Sequence, residues 1–443
     1  MKKFFDDSLL LGSGAAANIY SRIKDLPIID YHCHLDQFRI RDNASFSDIG
    51  ELWLSGDHYK WRAMRLCGVD EEYITSRADY HEKFIKYAEI LPMLAGNPLY
   101  YWTHMELRQI FGIEEPLNSE SAERIYSAAN EKLKDISVRS LLKQYKVEYI
   151  ATTDNPCDTL EAHGKYGDTT VVPTFRPDKL LAFDSAEIKR LEELVGYRVD
   201  TLPLFLKAIE SRLQFFVQKG CRISDHGFLK FPSVPYVDRE RAEEMYLRRA
   251  SLGNEQKEAL FGYLLTELAR LYKKYSVIMQ LHFAVTRNVN PQMFLRCGVD
   301  AGFDVIAKSS DIEDVITFFA QLSDEERPET VLYTLNDSAL SSLACVCGAF
   351  RHVRLGAAWW FNDTLLGIRR NLQTIAEYSA IGTNLGMLTD SRSFSSYSRF
   401  DFFRRILADY LGELVEKGEF EQAGAVRLAE NICYYNIKKE LRI

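Results

Sequence analysis

Short apolar runs rich in β-branched and aromatic residues recur along the chain, separated by stretches with helical spacing. They fall at residues 28–32, 147–152, 170–175, 220–224, 277–282, 330–335, 353–358 and 384–389. Strand-like runs alternating with helical patterns predict β–α units around a parallel sheet. Eight of them predict an α/β fold, a (β/α)8 TIM-type barrel, with a doubly wound sheet as the competing arrangement. One helical pattern is explicit: Phe402, Phe403, Ile406, Leu407, Tyr410, Leu411, Leu414 and Val415 recur on one helical face, and Gly418 follows as a stop signal.

The runs are unevenly spaced. About 115 residues separate the first from the second, whereas a simple β–α unit needs ~30. The stretch 38–142 is helically patterned and reads as a large insertion after the first strand, packed next to the active-site face. The expected organisation is a single barrel domain over residues 1–443, distorted by that insertion. A second long gap, 229–276, holds the turn-like FPSVP and a charged helical pattern from Asp238.

Composition narrows the class. The chain has 443 residues, 47% apolar and 27% charged, an ordinary globular balance with room for a large core. Its formal charge, 55 − 63 = −8, leaves no basic footprint for nucleic acid. No run of ~20 apolar residues predicts a membrane span. Asp6 and Asp7 interrupt the N-terminal apolar stretch, and the run 9–11 is too short for a signal peptide. Eight cysteines without a CxxC pair read as reduced thiols, so a cytoplasmic protein is expected.

The strongest local signal is IIDYHCHLD, residues 28–36, an apolar strand ending in His-x-His. Alternate strand residues share a face, so His32 and His34 point together while Cys33 points away, and two converging imidazoles make half of a metal site. In a barrel, C-terminal strand ends carry the active site. His282 closes the fifth run and reads as a site residue or a hydrogen-bonded core histidine. Asp390, in LTDSR, reads as a metal ligand, a general base or a helix N-cap. Arg176 and Arg392 could each hold a carboxylate by paired hydrogen bonds, against the alternative of a surface ion pair. In DHYKWRAMR, His58, Arg62 and Arg65 share a helical face, with Tyr59 beside them; a plain solvated face is the alternative. Trp359 and Trp360 read as a substrate wall or an apolar plug. Gly12 to Ala17 matches GxGxxA but lacks a preceding strand, so a loop before a helix is the better reading. Cys345 and Cys347 read as buried small residues in a helix. His81, His104, His163 and His352 read as structural or surface residues.

His-x-His after a first barrel strand marks the amidohydrolase superfamily. More specific are DHYKWRAMRLCGV, TTDNP, PTFRPD, QLH with Arg287 beyond it, GAAWWFND, and LTDSRSF followed by RRIL. In this order, from His32 to Arg405, they resemble the uronate (glucuronate) isomerase family. The resemblance implies a distorted barrel with a helical insertion after its first strand. It implies conversion of D-glucuronate to D-fructuronate and of D-galacturonate to D-tagaturonate, in hexuronate catabolism. It implies one divalent metal ion, zinc first and manganese or iron as alternatives, on His32, His34 and Asp390. His58, Tyr59, Arg176 and Arg392 would contact the sugar acid or assist proton transfer, with Trp359, Trp360 and His282 lining the pocket. The implied partner is a small hexuronate; a homo-oligomer is compatible with it.

The sequence departs from the family's pattern at Phe283-Ala284-Val285-Thr286-Arg287 and at Gly302 to Lys308, where Lys308 replaces an acid. An aldose–ketose isomerase must remove a weakly acidic C–H proton and stabilise an enediolate. Asp390 and Tyr59 are the candidate base and acid, His58 the third, and hydride shift is the rival route. A two-metal hydrolase fits less well, because the fourth run ends in Ser224-Asp225-His226 without a lysine and the sixth in Leu335-Asn336 without a histidine. A one-metal hydrolase or lactonase acting on a sugar acid, and a sugar-acid binding homologue without turnover, remain the alternatives.

Overall fold

Parallel strands separated by helices dominate the computed structural model, which describes residues 3–308 and 311–443. Its ten strands are β1 (Ile28–Asp30), β2 (Val147–Ala151), β3 (Gly164–Tyr166), β4 (Thr169–Val172), β5 (Ile223–Gly227), β6 (Ile278–Phe283), β7 (Val285–Thr286), β8 (Val305–Ile306), β9 (Thr330–Thr334) and β10 (Val353–Leu355). One sheet has the order β1-β2-β4-β3 and a second the order β10-β9-β6-β5. All pairs in these two sheets are parallel except the β3–β4 hairpin. Single parallel bridges from Asp154 to Phe175 and from Phe175 to Ser224 carry the pairing across from the first sheet to the second. The result is a mixed α/β fold with parallel sheets, consistent with the TIM-barrel type.

Seven of the eight apolar runs contain a strand. The fourth is displaced, because the strand is Ile223–Gly227 rather than 220–224. Residues 384–389 form no strand. Gly386 at φ 75° and Asp390 at φ 46° take left-handed backbone, which a continuous ladder does not accommodate. The segment is nonetheless fastened to β1. Thr389 donates to the Asp30 carboxylate through its N–H (2.9 Å) and hydroxyl (2.6 Å), and Asp390 N–H donates to the His32 carbonyl at 3.1 Å. Burial raises the Asp30 carboxyl to about 6 despite these bonds.

Between β1 and β2 lie α2 (Gln37–Arg41), α3 (Ile49–Leu54), α4 (His58–Leu66), α5 (Tyr80–Ile90), α6 (Pro98–Phe111), α7 (Ala122–Leu133) and α8 (Val138–Gln144), preceded in the chain by α1 (Gly14–Ile23). They bury Trp53, Phe84, Tyr87, Trp102 and Phe111 in a core shared with α1, β1 and helix Ser398–Glu416. A second core joins the strands to helices Leu202–Gln218 and Asn254–Tyr275. Ser13 caps α1 by accepting from Ala16 N–H. The small residues behind it let α1 approach helix Ser398–Glu416, where a Cβ on Gly412 would lie 2.7 Å from Ala16. The GxGxxA stretch is thus a helix-packing feature. The helix containing Cys345 and Cys347 forms as expected, but Cys345 is exposed and Cys347 half-buried at the edge of the core, because Ala344 and Val346 take the buried positions of that turn. Among the described residues no helix is long and apolar enough to cross a membrane.

Candidate active site

The C-terminal ends of the parallel strands converge on one cavity of about 580 Å³. His32, His34, His58, Arg176, His282, Trp359, Trp360, Asp390 and Arg392 all line it. Tyr59 is the exception among the expected residues. It lines a smaller neighbouring pocket of about 120 Å³, behind a wall formed by His58 and Trp360.

His32 and His34 follow β1, and Cys33 between them is buried in the helical core, as the alternation of an extended chain requires. Asp390 comes from the segment that runs alongside β1, its N–H donating to the His32 carbonyl while His34 N–H donates to the Ser391 carbonyl. Its left-handed backbone, which Asp tolerates better than most residues, turns its carboxylate back onto the histidines. Oδ1 lies 3.2 Å from His32 Nε2 and 3.1 Å from His34 Nε2, while Oδ2 accepts a 2.7 Å bond from Trp359 Nε1–H. Asp390 caps no helix, since the next one begins at Ser398. Burial alone would raise its carboxyl, but hydrogen bonds from both histidines hold it well below the usual carboxylate range.

Asp225 organises the opposite wall, and the sequence reading assigned it no site role. It lies within β5, where it is 1% exposed. One oxygen accepts from His282 Nδ1 at 2.8 Å, and the other pairs with Arg176 Nη1 at 3.2 Å. Burial would raise the Asp225 carboxyl, but Arg176, His32 and His282 outweigh it and keep it well below its usual range. Asp178 holds the other side of Arg176 at 3.4 Å. Gly227 makes room for that guanidinium, since a Cβ there would sit 2.8 Å from Arg176 Nη2. TTDNP is a buttress: Asp154 exchanges backbone bonds with Thr174 and Arg176 and pairs with buried His163.

The rings of His32 and His282 stack at 4.7 Å, and His282 stacks on Tyr333 at 4.3 Å. Among the described residues His32 Nδ1 and His282 Nε2 have no hydrogen-bond partner. Burial pulls His34, His58 and His282 below the ordinary histidine value, whereas Asp225 and Asp390 outweigh burial at His32 and raise it.

Asp57 caps α4 by accepting from Tyr59 and Lys60 N–H, which fixes His58 at the first helical position. The shared face of His58, Arg62 and Arg65 is not a solvated one. It packs on the chain around Gly302, with Arg62 donating to the Asp304 carbonyl at 3.2 Å. Arg287, Asp300 and Asn288 also line the cavity, all from an excursion that follows β6. Lys308 is exposed and does not line the cavity.

Tyr59 OH lies 3.4 Å from Asp363 Oδ2, and Arg399 Nη1 is 3.6 Å from the same oxygen. Burial pushes the Asp363 carboxyl up to about 7 even against Arg399. The native state therefore binds this proton more tightly than the unfolded chain does. Native stability from this group is full below the unfolded value near ~4 and declines as pH rises towards 7. Asp363→Asn cannot ionise. It should gain stability relative to wild type between pH 5 and pH 8 by on the order of 3 kcal/mol. Urea unfolding at the two pH values measures this, and an equal difference at both would refute it.

The donor set fits a divalent cation. His32, His34 and Asp390 offer two nitrogens and an oxygen that all lie within 4.8 Å of one another. Ligands 2.0–2.2 Å from a tetrahedral centre stand roughly 3.4 Å apart, close to the spacing seen here. A second group, His32, Asp225 and His282, meets the same distance test and shares His32.

A family model described as glucuronate isomerase matches residues 1–440. A uronate isomerase of Shouchella clausii is 41% identical, over 99% of this chain and 98% of its own. The crystal structure of uronate isomerase from Thermotoga maritima superposes with a TM-score of 0.96 at 33% identity, covering 99% of this chain and 100% of that one. The glucuronate isomerase structure from Caulobacter crescentus gives 0.93 at 26% identity, with 99% and 97% covered.

Proposed function

Because the chain belongs to the glucuronate isomerase family and isomerises hexuronates, we propose that it does so by metal-assisted proton transfer in the cavity between His32 and Arg392. D-Glucuronate would become D-fructuronate, and D-galacturonate would become D-tagaturonate. The observation that carries the reading is the convergence of His32, His34 and Asp390 at 3.1–3.2 Å beside two arginines. A divalent ion on these three residues, zinc or else manganese or iron, would supply positive charge that stabilises the enediolate oxygens.

The side chains divide the remaining work. Arg392 is the anchor for the substrate carboxylate, with Arg176 second, because a guanidinium meets a carboxylate through two parallel hydrogen bonds. Asp390 or His58 takes the proton from C2 of the open-chain sugar and returns one to C1, while the O2 hydroxyl proton is transferred to O1, so that C2 becomes the carbonyl and C1 the alcohol. Burial keeps His58 uncharged near neutrality, so it has a lone pair to accept with. Tyr59, set behind His58, is the third acid–base candidate. Trp359 orients Asp390 through its indole N–H, and with Trp360 it excludes water from the sugar's face. In this reading the strands form a distorted (β/α)8 barrel, with residues 384–391 in the eighth position. Residues 1–443 form one domain, and 38–142 are an insertion beside the active-site face. Eight free thiols fit a reducing compartment, so the proposal places the enzyme in the cytoplasm.

Isomerisation in D2O tests the proton route. Solvent deuterium should appear at C1 of the ketose; full retention of the substrate's C2 hydrogen there would establish hydride shift instead. Arg392→Met should lower kcat/KM by roughly 10- to 150-fold, the effect of losing one charge-assisted anchor. Steady-state kinetics on D-glucuronate would measure it, and an unchanged kcat/KM would remove Arg392 from the anchor role.

A further inference from the structure

The excursion after β6 is built as a strap. β7 pairs antiparallel with β8, and helix Pro291–Cys297 lies between them. The strap is pinned to α4 by Arg62 on the Asp304 carbonyl and by Arg65 on the Ala301 carbonyl. Gly302, at φ 89°, lets it pass close to the helix, where a Cβ would lie 3.0 Å from the His58 carbonyl oxygen.

Pinned this way, the strap delivers one carboxylate to the cavity mouth. Asp300 Oδ2 accepts from Arg392 Nη2 at 2.8 Å, and Arg287 Nη1 is 3.8 Å from Asp300 Oδ1. Arg287 has a nearer acid in Asp304, at 3.2 Å. Among the described residues Asp300 is the acid that pairs with Arg392. We propose that Asp300 is an internal stand-in for the substrate carboxylate, a specificity-determining residue that occupies Arg392 until an anionic sugar replaces it. This inference rests on Arg392 being the anchor.

First, Asp300 is ionised: burial would raise its carboxyl, but Arg392, Arg287 and His58 hold it below the usual range. Second, a substrate carboxylate seated on the same guanidinium would lie beside Asp300, and two like charges so close disfavour each other. Third, the pair is exchangeable. The two side chains are 35% and 39% exposed, and partly exposed ion pairs are weak. A hexuronate brings a carboxylate to take over Arg392, whereas a neutral hexose would have to break the pair and return nothing. The contact therefore keeps a binding arginine paired in the free enzyme and selects for charge in the ligand.

The test uses D-gluconate, which carries the carboxylate but no carbonyl to isomerise. Its affinity for the metal-loaded full chain is measured by calorimetry in wild type, Asp300→Asn, Asp300→Glu, Arg392→Met and the double variant Asp300→Asn/Arg392→Met. Thermal melts accompany each variant, and Asp300→Ser repeats the charge removal with a smaller side chain. Asp300→Asn should tighten gluconate binding roughly two- to five-fold, the range expected for a partly exposed pair. Asp300→Glu should bind as wild type does, and the gain should vanish in the Arg392→Met background. If Arg392→Met weakens binding while Asp300→Asn leaves it unchanged or weakens it, the stand-in is overturned and the anchor stands. A gain of equal size in both backgrounds overturns it likewise. If Arg392→Met binds gluconate as tightly as wild type, the anchor falls, and the stand-in with it.

Discussion

Replacing His32 and His34 together with alanine is expected to lower hexuronate isomerisation by at least roughly three orders of magnitude. The reason is electrostatic. The two imidazoles and Asp390 are the converging donor set for a divalent charge, and such a charge contributes several kcal/mol to a transition state carrying an enediolate. The substitution also removes both hydrogen bonds that keep the buried Asp390 carboxyl ionised, so the candidate base is lost with the metal site. Ketose formation and bound metal, measured on the same preparation, check this. A variant that keeps its circular dichroism and turns over within ten-fold of wild type would remove the histidines from the mechanism.

The second large effect concerns stability and catalysis at once. Asp225→Ala leaves the Arg176 guanidinium and the His282 ring without the carboxylate they share. Breaking a buried ion pair by removing one partner destabilises by about 3–5 kcal/mol when the remaining charge is left uncompensated, and because Arg176 keeps Asp178 the low end, about 3 kcal/mol, is expected here. Urea unfolding should show a loss of that size. The folded fraction should also lose more than ten-fold in kcat/KM, since Arg176 is then held by Asp178 alone and His282 Nδ1 loses its Asp225 acceptor. Asp225→Asn keeps an acceptor and should lose less stability. A wild-type midpoint for Asp225→Ala would contradict the account of this wall.

Much of the site was legible because strand geometry is local. His32 and His34 needed only the alternation of an extended chain, and His282, Arg176 and Trp359 each sit at or just past a recognisable apolar run. Asp225 was overlooked because the fourth run was placed at 220–224. The strand starts three residues later and carries Asp225 into its middle. Gly227 was the available signal, a glycine closing a strand where an arginine must pass. The eighth run illustrates a different limit. Its apolar pattern fits a strand, yet left-handed residues at 386 and 390 break the ladder, and that geometry is what aims Asp390.

Tyr59 and Asp300 were beyond local reading for the same reason. Tyr59 lies next to His58 in sequence, but helical rotation places it behind the cavity wall on Asp363. Asp300 follows an irregular strap whose position depends on Arg62 and Arg65, some 240 residues earlier in the chain. No periodicity in the 285–308 stretch announces it.

The most direct measurement is turnover against metal content. Chelator-stripped protein would be reloaded in steps with Zn²⁺ or Mn²⁺, and ketose formation from D-glucuronate and D-galacturonate followed at each step. The account predicts turnover that rises in proportion to bound metal, saturates near one ion per chain and returns to baseline on stripping. Full turnover by metal-free protein, or none by folded and fully loaded protein, would contradict it.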